Sequence, residues 1–354
     1  YVLNSGSICV KNDEPLNLLR STVPDALERE VRYLCDLKIT LDRLSKSGAS
    51  QALQDDWMAS ARGNTCAYWP SDFMRLVLPF LNWEQDLQQR ALRAYVDPRY
   101  VVGSNIGGFP EDVTDGEVTK RVLKYKSDFR TSDDVLYIWY PALGIFLAHE
   151  GKHRVAFMRR YEQPSIAAWV SEAKYPAAER MMIVAPSDDR DECFVVLDQR
   201  FLQVLKRPHV STRFLGAYGV KTCHWNSVPG LPDELIVRKA VYERRLHREQ
   251  NTTAEGERTL DLIELNESIR QQTAAGAEEV ERGVDELAPL RLKAKPFFRS
   301  VGCAAIAGGL GLLADSPAIA PGAWLLLGSA VGMLASLVVM RFVGPRNLRD
   351  DTKG

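Results

Sequence analysis

The chain of 354 residues lacks an excess of either charge: 45 Lys and Arg face 46 Asp and Glu, a formal charge of −1. A protein that coats nucleic acid over its whole surface carries surplus cations, so that class is excluded, while a local basic site stays open. Grouped cysteines are lacking too. Cys9, Cys35, Cys66, Cys193, Cys223 and Cys303 are scattered with no CxxC spacing. That pattern excludes a disulfide scaffold or zinc module and fits reduced thiols in a cytosolic domain. Cys223 beside His224 is one adjacent pair, short of the roughly four ligands that zinc takes. The first residues, with Asn4, Lys11, Asp13 and Glu14, hold no signal-peptide core. The run Gly103-Ser-Asn-Ile-Gly-Gly has neither the GxGxxG spacing nor a P-loop Lys and reads as a turn.

What is present is a globular composition, 45% hydrophobic and 26% charged, in a length that suits about two domains. The expected class is α/β (α+β): a small mixed domain with a helical N-terminal region, a helical linker and a C-terminal two-helix membrane hairpin. Residues 24–44 read as an amphipathic helix, with Leu27, Val31, Leu34, Leu37, Leu41 and Leu44 spaced by three and four. A second helix is expected from Asn82, capped through Gln85, with Leu87, Ala91 and Tyr95 on one face. Trp57, Tyr68, Trp69, Phe73 and Phe80 read as core between them. Residues 1–96 are therefore expected to be mostly helical.

An α/β pattern with trailing helices follows over 97–250. Helices are expected at Thr114–Tyr125, Lys152–Tyr161, Asp198–Lys206 and Leu235–Arg248. Strands are expected at Val135–Tyr140, Gly144–Ala148, Ile166–Val170, Met181–Ala185 and Phe194–Leu197. Asp188, Asp189, Asp191 and Glu192 read as a solvated turn. A polar linker, 251–296, carries a weak helical repeat from Ile269 to Leu287, and 260–287 is a candidate for self-association.

The apolar runs come last. Ser300–Ala314 and Ser316–Met340 are uncharged, interrupted by Asp315 and flanked on both sides by Lys and Arg. The second run exceeds the ~20 residues a crossing needs, and the flanking cations predict both ends on the cytoplasmic side. The expectation is a transmembrane hairpin over 297–343 with a basic tail, 344–354, in a multi-pass protein of the inner membrane. Gly328 and Gly332 form a GxxxG pair suited to close helix contact, within the hairpin or between copies.

Chemistry concentrates in Phe146-Leu-Ala-His-Glu-Gly-Lys-His-Arg. A strand delivers Glu150, Gly151 makes the turn, and a helix opens with Lys152, His153 and Arg154. The unpaired amides of a helix N-terminus attract anions, and Gly151 lets a phosphate approach the backbone. Arg154 offers a two-donor grip and Lys152 a mobile charge. His153 can move a proton near neutrality, and Glu150 can orient it or act as base. The same residues equally describe a capped, solvated turn. Basic residues surround the motif: Lys120, Arg121, Lys124, Lys126 and Arg130 precede it, and Arg238, Lys239, Arg244, Arg245 and Arg248 form a second cluster.

The order helix, strand, turn, strand, Glu-Gly-Lys-His-Arg, helix, strand resembles the ParB/sulfiredoxin-like superfamily over roughly residues 97–200. Glu150 stands at the family's acidic position, and Gly151, His153 and Arg154 match its Asp-Gly-X-His-Arg motif. The resemblance implies a small α/β domain, a nucleoside triphosphate with Mg²⁺ or nucleic acid as ligand, and catalytic roles for Glu150 and His153 beside phosphate-binding Gly151, Lys152 and Arg154. Lys152 occupies the position of the sulfiredoxins' reactive Cys, which excludes that activity. Nucleotide hydrolase, nuclease and phosphotransferase remain the enzymatic readings. The alternatives are a non-catalytic DNA-binding or partition module at the membrane and a degenerate structural or signalling protein. Lipid and a second copy of the chain are the other expected partners.

Overall fold

The computed structural model describes residues 14–45, 53, 56–61, 64–81, 91–104, 113–186, 192–228, 230–247, 258–277, 279–283, 294–314, 316–339 and 341–345. The chain divides into two units, 1–263 and 264–354.

The first unit opens with β1 (Leu16–Leu18) and α1 (Asp25–Leu44). Pro24 precedes the helix, Asp25 and Glu28 lie in its first turn and Arg43 in its last, so its charges follow the backbone dipole. All six apolar residues named by the periodicity join the core. Lys38 and Asp42, one turn apart on the same helix, form an ion pair that solvent does not reach. The hairpin β2 (Met58–Ala61) and β3 (Asn64–Ala67) leads to α2 (Pro70–Val77). Phe73 and Phe80 are fully buried as expected, but Trp69 is 52% exposed.

Leu92–Val96 is a strand, β4, and not the end of a helix. Residues 82–90, the rest of that expected helix, lie outside the described residues. Ala94 and Val96 are buried on alternate positions, a period of two that backbone pairing on both sides enforces. After β4 come β5 (Val101–Val102), α3 (Asp115–Ser127), β6 (Leu136–Tyr140), β7 (Ile145–Ala148), α4 (Lys152–Arg160) and β8 (Ile166–Glu172). The six-stranded sheet runs β1-β4-β8-β6-β7-β5. Residues 1–96 thus supply two of its strands and are not a separate helical region.

A second mixed sheet is built from β9 (Met181–Ala185), β10 (Phe194–Leu197), β11 (Phe201–Val204), β12 (Lys221–His224) and β13 (Leu260–Asp261), ordered β12-β9-β10-β11-β13. The helix expected over Asp198–Lys206 is instead strand β11. Asp198 and Gln199 adopt φ of 52° and 55°, a tight turn that folds the chain back on β10. Helices α5 (Pro208–Tyr218) and α6 (Glu234–Glu243) complete the unit.

Helix α7 (Leu262–Ala277), all but its first two residues in the second unit, ends well before the predicted limit, and β14 (Glu279–Gly283) pairs antiparallel with β15 (Arg341–Pro345). Gly276 lies at that end, where a continued helix is costly. Between them lie α8 (Ala294–Leu313) and α9 (Ala320–Val339).

The expectation of a multi-pass membrane protein is overturned. One described helix, Lys295–Leu313, is long and apolar enough to cross a membrane; the apolar stretch of the next is only Ala320–Ser336. The uncharged run of Ser316–Met340 loses residues 317–319 to a turn containing Pro317, and its apolar helix among the described residues is the shorter one, Ala320–Ser336. The seemingly short run gains length by extending back through Arg299 to Ala294. The close contact also differs from expectation. A Cβ at Gly308 or Gly311 of α8 would fall 2.8 Å from Ala323 O or 2.9 Å from Ala323 Cβ of α9, whereas Gly328 and Gly332 face open space.

Candidate functional site

Four fully buried positions, Ile145–Ala148, hold β7 in the six-stranded sheet. Its end is abrupt. The amides of His149 and Glu150 both donate to Leu136 O, at 2.9 and 3.0 Å, so two residues oppose one and the ladder stops. Gly151 then turns the chain at φ 76°, ψ 19° and caps α4 without a side-chain hydrogen bond. A Cβ there would sit 3.0 Å from Val135 Cγ1, so both backbone angle and packing require glycine. The reason for glycine is therefore internal to the fold.

The three cationic or titratable residues that follow diverge. Lys152 lies over the Trp69 ring, 4.8 Å from its centroid, with Nζ 3.8 Å from Glu150 Oε2. His153 is exposed. Arg154 points inward and is 7% exposed. Its guanidinium stacks over Tyr125 at 4.8 Å, and Nη1 donates to Asp128 O at 3.2 Å. Burial holds its pKa below the ordinary guanidinium value, opposed mainly by the nearby Tyr137 and Tyr125. Arg154 consequently fastens the end of α3 to the start of α4. The structure does not bring Glu150, His153 and Arg154 together around one opening.

Two buried hydroxyls lie in this region. Tyr137, paired in register with Ala148, has its OH fully buried with no hydrogen-bond partner among the described residues. Burial pushes its pKa up, with Arg154 acting in the opposite direction. Ser104, whose amide donates to Lys152 O at 3.4 Å, likewise leaves its Oγ buried and unpartnered. Sequence reasoning missed both, because partner counts are properties of packing. Gly103 admits this strand end against α4: a Cβ would lie 2.7 Å from Val155 Cβ.

These residues do not fit a Mg²⁺-bound triphosphate in the expected manner. Arg154, to which the two-donor grip was assigned, is buried over Tyr125 with Nη1 bonded to Asp128 O, and Lys152 already lies beside a carboxylate and an indole. We therefore derive no step through such a group.

The basic clusters separate as well. On α6, Arg238 is 5% exposed, holds Glu234 at 2.8–2.9 Å, also pairs with Glu192 and lies over Phe194. Lys239 pairs with Glu243 at 3.8 Å. Arg248 lies outside the described residues, as do Asp188, Asp189 and Asp191. That helix spends its leading cation on packing. Helix α3 is different: none of its residues is buried. Its N-terminus is fixed by a capping box between Thr114 and Glu117. Val118, Val122 and Tyr125 rest against the core, and Lys120, Arg121, Leu123 and Lys124 are exposed. The helix carries four cations against Asp115 and Glu117. The acids occupy its first turn and Lys124 and Lys126 its last, so its C-terminal half presents positive charge alone. Beyond the helix, Arg130, 38% exposed, is paired with Asp128 at 3.6 Å.

No family model, curated protein or solved structure matches the chain.

Proposed function

We propose that the chain is a non-catalytic nucleic-acid-binding protein on a ParB-like α/β domain, with the cations of α3 as its contact to the phosphate backbone. The observation that carries this reading is the exposed row Lys120, Arg121 and Lys124, of which Arg121 also lies over the Phe157 ring at 5.9 Å, on a helix that buries no residue. A phosphate polyanion releases its condensed counterions on meeting such a row, which supplies affinity without a shaped pocket. The Glu-Gly-Lys-His-Arg motif has a structural part in this reading, because Arg154 positions α3 through Tyr125 and Asp128. Chemistry at Glu150 and His153 is not assigned, since the guanidinium that would hold a phosphate beside them faces the interior. Exposed Ile306, Leu310 and Leu313 make lipid acyl chains the partner of α8.

The test uses a random-sequence duplex and fluorescence anisotropy alongside assays of nucleotide turnover. Binding that weakens by orders of magnitude between about 50 and about 200 mM salt, with turnover at background, is the expected result. Nucleoside triphosphate hydrolysis removed by His153→Ala would return the enzymatic reading to first place. Failure to bind any duplex or single strand at low salt would leave α3 as a solvated face.

A further inference from the structure

We infer that the Lys295–Arg299 end of α8 is a headgroup site for anionic phospholipid, so that the second unit selects a negatively charged bilayer. The inference rests on the reading of α8 as a lipid-facing helix and adds which lipid it takes.

The two apolar helices pack antiparallel: a Cβ at Gly308 would fall 2.8 Å from Leu327 Cγ, and one at Gly311 2.9 Å from Ala323 Cβ. Phe298, Ile306, Leu310 and Leu313 succeed one another on α8 at spacings of eight, four and three. At about 100° per residue that places them on the side away from the two glycines. Each is more than half exposed, as are Trp324, Leu325 and Val331 of α9. An apolar face on this scale marks a surface that something covers.

Charge decides what covers it. Lys295 and Arg299, one turn apart, fall on the same outer side of α8 and head the apolar row. Both are exposed, and no ion pair engages either among the described residues. Neither α8 nor α9 contains an acidic residue. At the other end of the pair, between Leu313 and Ala320, the one charged residue is Asp315. Cations at a helix N-terminus oppose the backbone dipole, so their placement gains α8 nothing by itself. Anionic headgroups supply the counter-charge, while the stems of both side chains lie along the apolar row and hold their charges at the interface. A second copy set parallel on this face would instead bring like charges together.

The test dilutes the whole chain from mild detergent onto vesicles of phosphatidylcholine alone, or of three parts phosphatidylcholine to one part phosphatidylglycerol, and reads partition by flotation across a lipid titration. Each cation near an anionic surface adds about fivefold to partition, so Lys295→Gln with Arg299→Gln is expected to lose about 25-fold on the anionic vesicles. The same double variant is expected to bind neutral vesicles as wild type does, which also shows that its apolar face is intact. The Lys120→Ala, Arg121→Ala, Lys124→Ala variant is expected to keep the anionic preference, which separates this end from α3. Equal partition of wild type onto both vesicles, or a preference that survives in the Lys295, Arg299 double variant, overturns the headgroup inference and leaves the acyl-chain reading in place. Partition onto neither vesicle, with the chain self-associating as detergent is removed, overturns both and gives the apolar face to a second copy.

Discussion

Replacing Arg154 separates a structural role from a ligand-binding one. The side chain is 7% exposed, stacks on Tyr125 and donates one hydrogen bond to Asp128 O. A desolvated cation over an aromatic ring contributes about 2 kcal/mol, and a charge-assisted hydrogen bond about 1.5–3 kcal/mol. Removing the stem also leaves a cavity. Against these stands the cost of burying the charge, the same effect that lowers its pKa. The net expectation for Arg154→Ala is a loss of about 2–3 kcal/mol, a fall in Tm of roughly 5–10 °C for a unit of this size. Arg154→Met keeps the stem and removes the buried charge, so it should recover most of the loss. Thermal denaturation of the whole chain, followed by near-ultraviolet circular dichroism, reads both variants. An Arg154→Ala protein as stable as wild type but unresponsive to a ligand that stabilises wild type would assign Arg154 to ligand binding instead.

Three further outcomes follow from the same packing. Tyr137→Phe removes a buried hydroxyl that has no partner among the described residues, so its stability should equal or exceed wild type by up to about 1 kcal/mol; a loss of that size in urea denaturation would mean the hydroxyl is bonded. Gly151→Ala must hold φ 76° and meet Val135 Cγ1 at 3.0 Å, and should cost about 1–3 kcal/mol on the same assay, whereas an exposed turn would tolerate it. Gly308→Leu should disrupt the α8–α9 contact, visible as accelerated proteolysis, while Gly328→Leu should not, because a Cβ at Gly308 of α8 meets α9 and one at Gly328 of α9 meets nothing within 4 Å; the reverse order would restore the GxxxG reading.

Local pattern made much of the first unit legible. The strands Met181–Ala185 and Phe194–Leu197 and the helix starting at Lys152 lie where alternation, periodicity and glycine place them. The α1 face was readable because three- and four-residue spacing survives tertiary packing. Errors arose where distant partners decide. Leu92–Val96 and Phe201–Val204 are short apolar segments without a diagnostic period, and pairing with β1, β8, β10 and β13 makes them strands. Uncharged length misjudged the C-terminal helices, because a turn took the first residues of the longer run.

The candidate site was legible as a location and illegible as chemistry. Sequence put Gly151 at a turn and Lys152–Arg154 at a helix start, and both stand. It could not show that Arg154 faces inward, since neighbouring positions on a helix point about 100° apart and the choice belongs to Tyr125 and Asp128, 29 and 26 positions away in the chain. Nor could it divide the cationic clusters into the packed arginine of α6 and the open row of α3, because their compositions are alike while their partners differ.

The salt dependence of duplex binding, measured for wild type and for the triple variant Lys120→Ala, Arg121→Ala, Lys124→Ala, tests the account most directly. Each phosphate contact adds about 0.9 to the slope of log affinity against log salt, so removing three should flatten it by about 2.7 and weaken binding at low salt. An unchanged slope and affinity in a folded triple variant would contradict it, placing any nucleic-acid contact elsewhere on the chain.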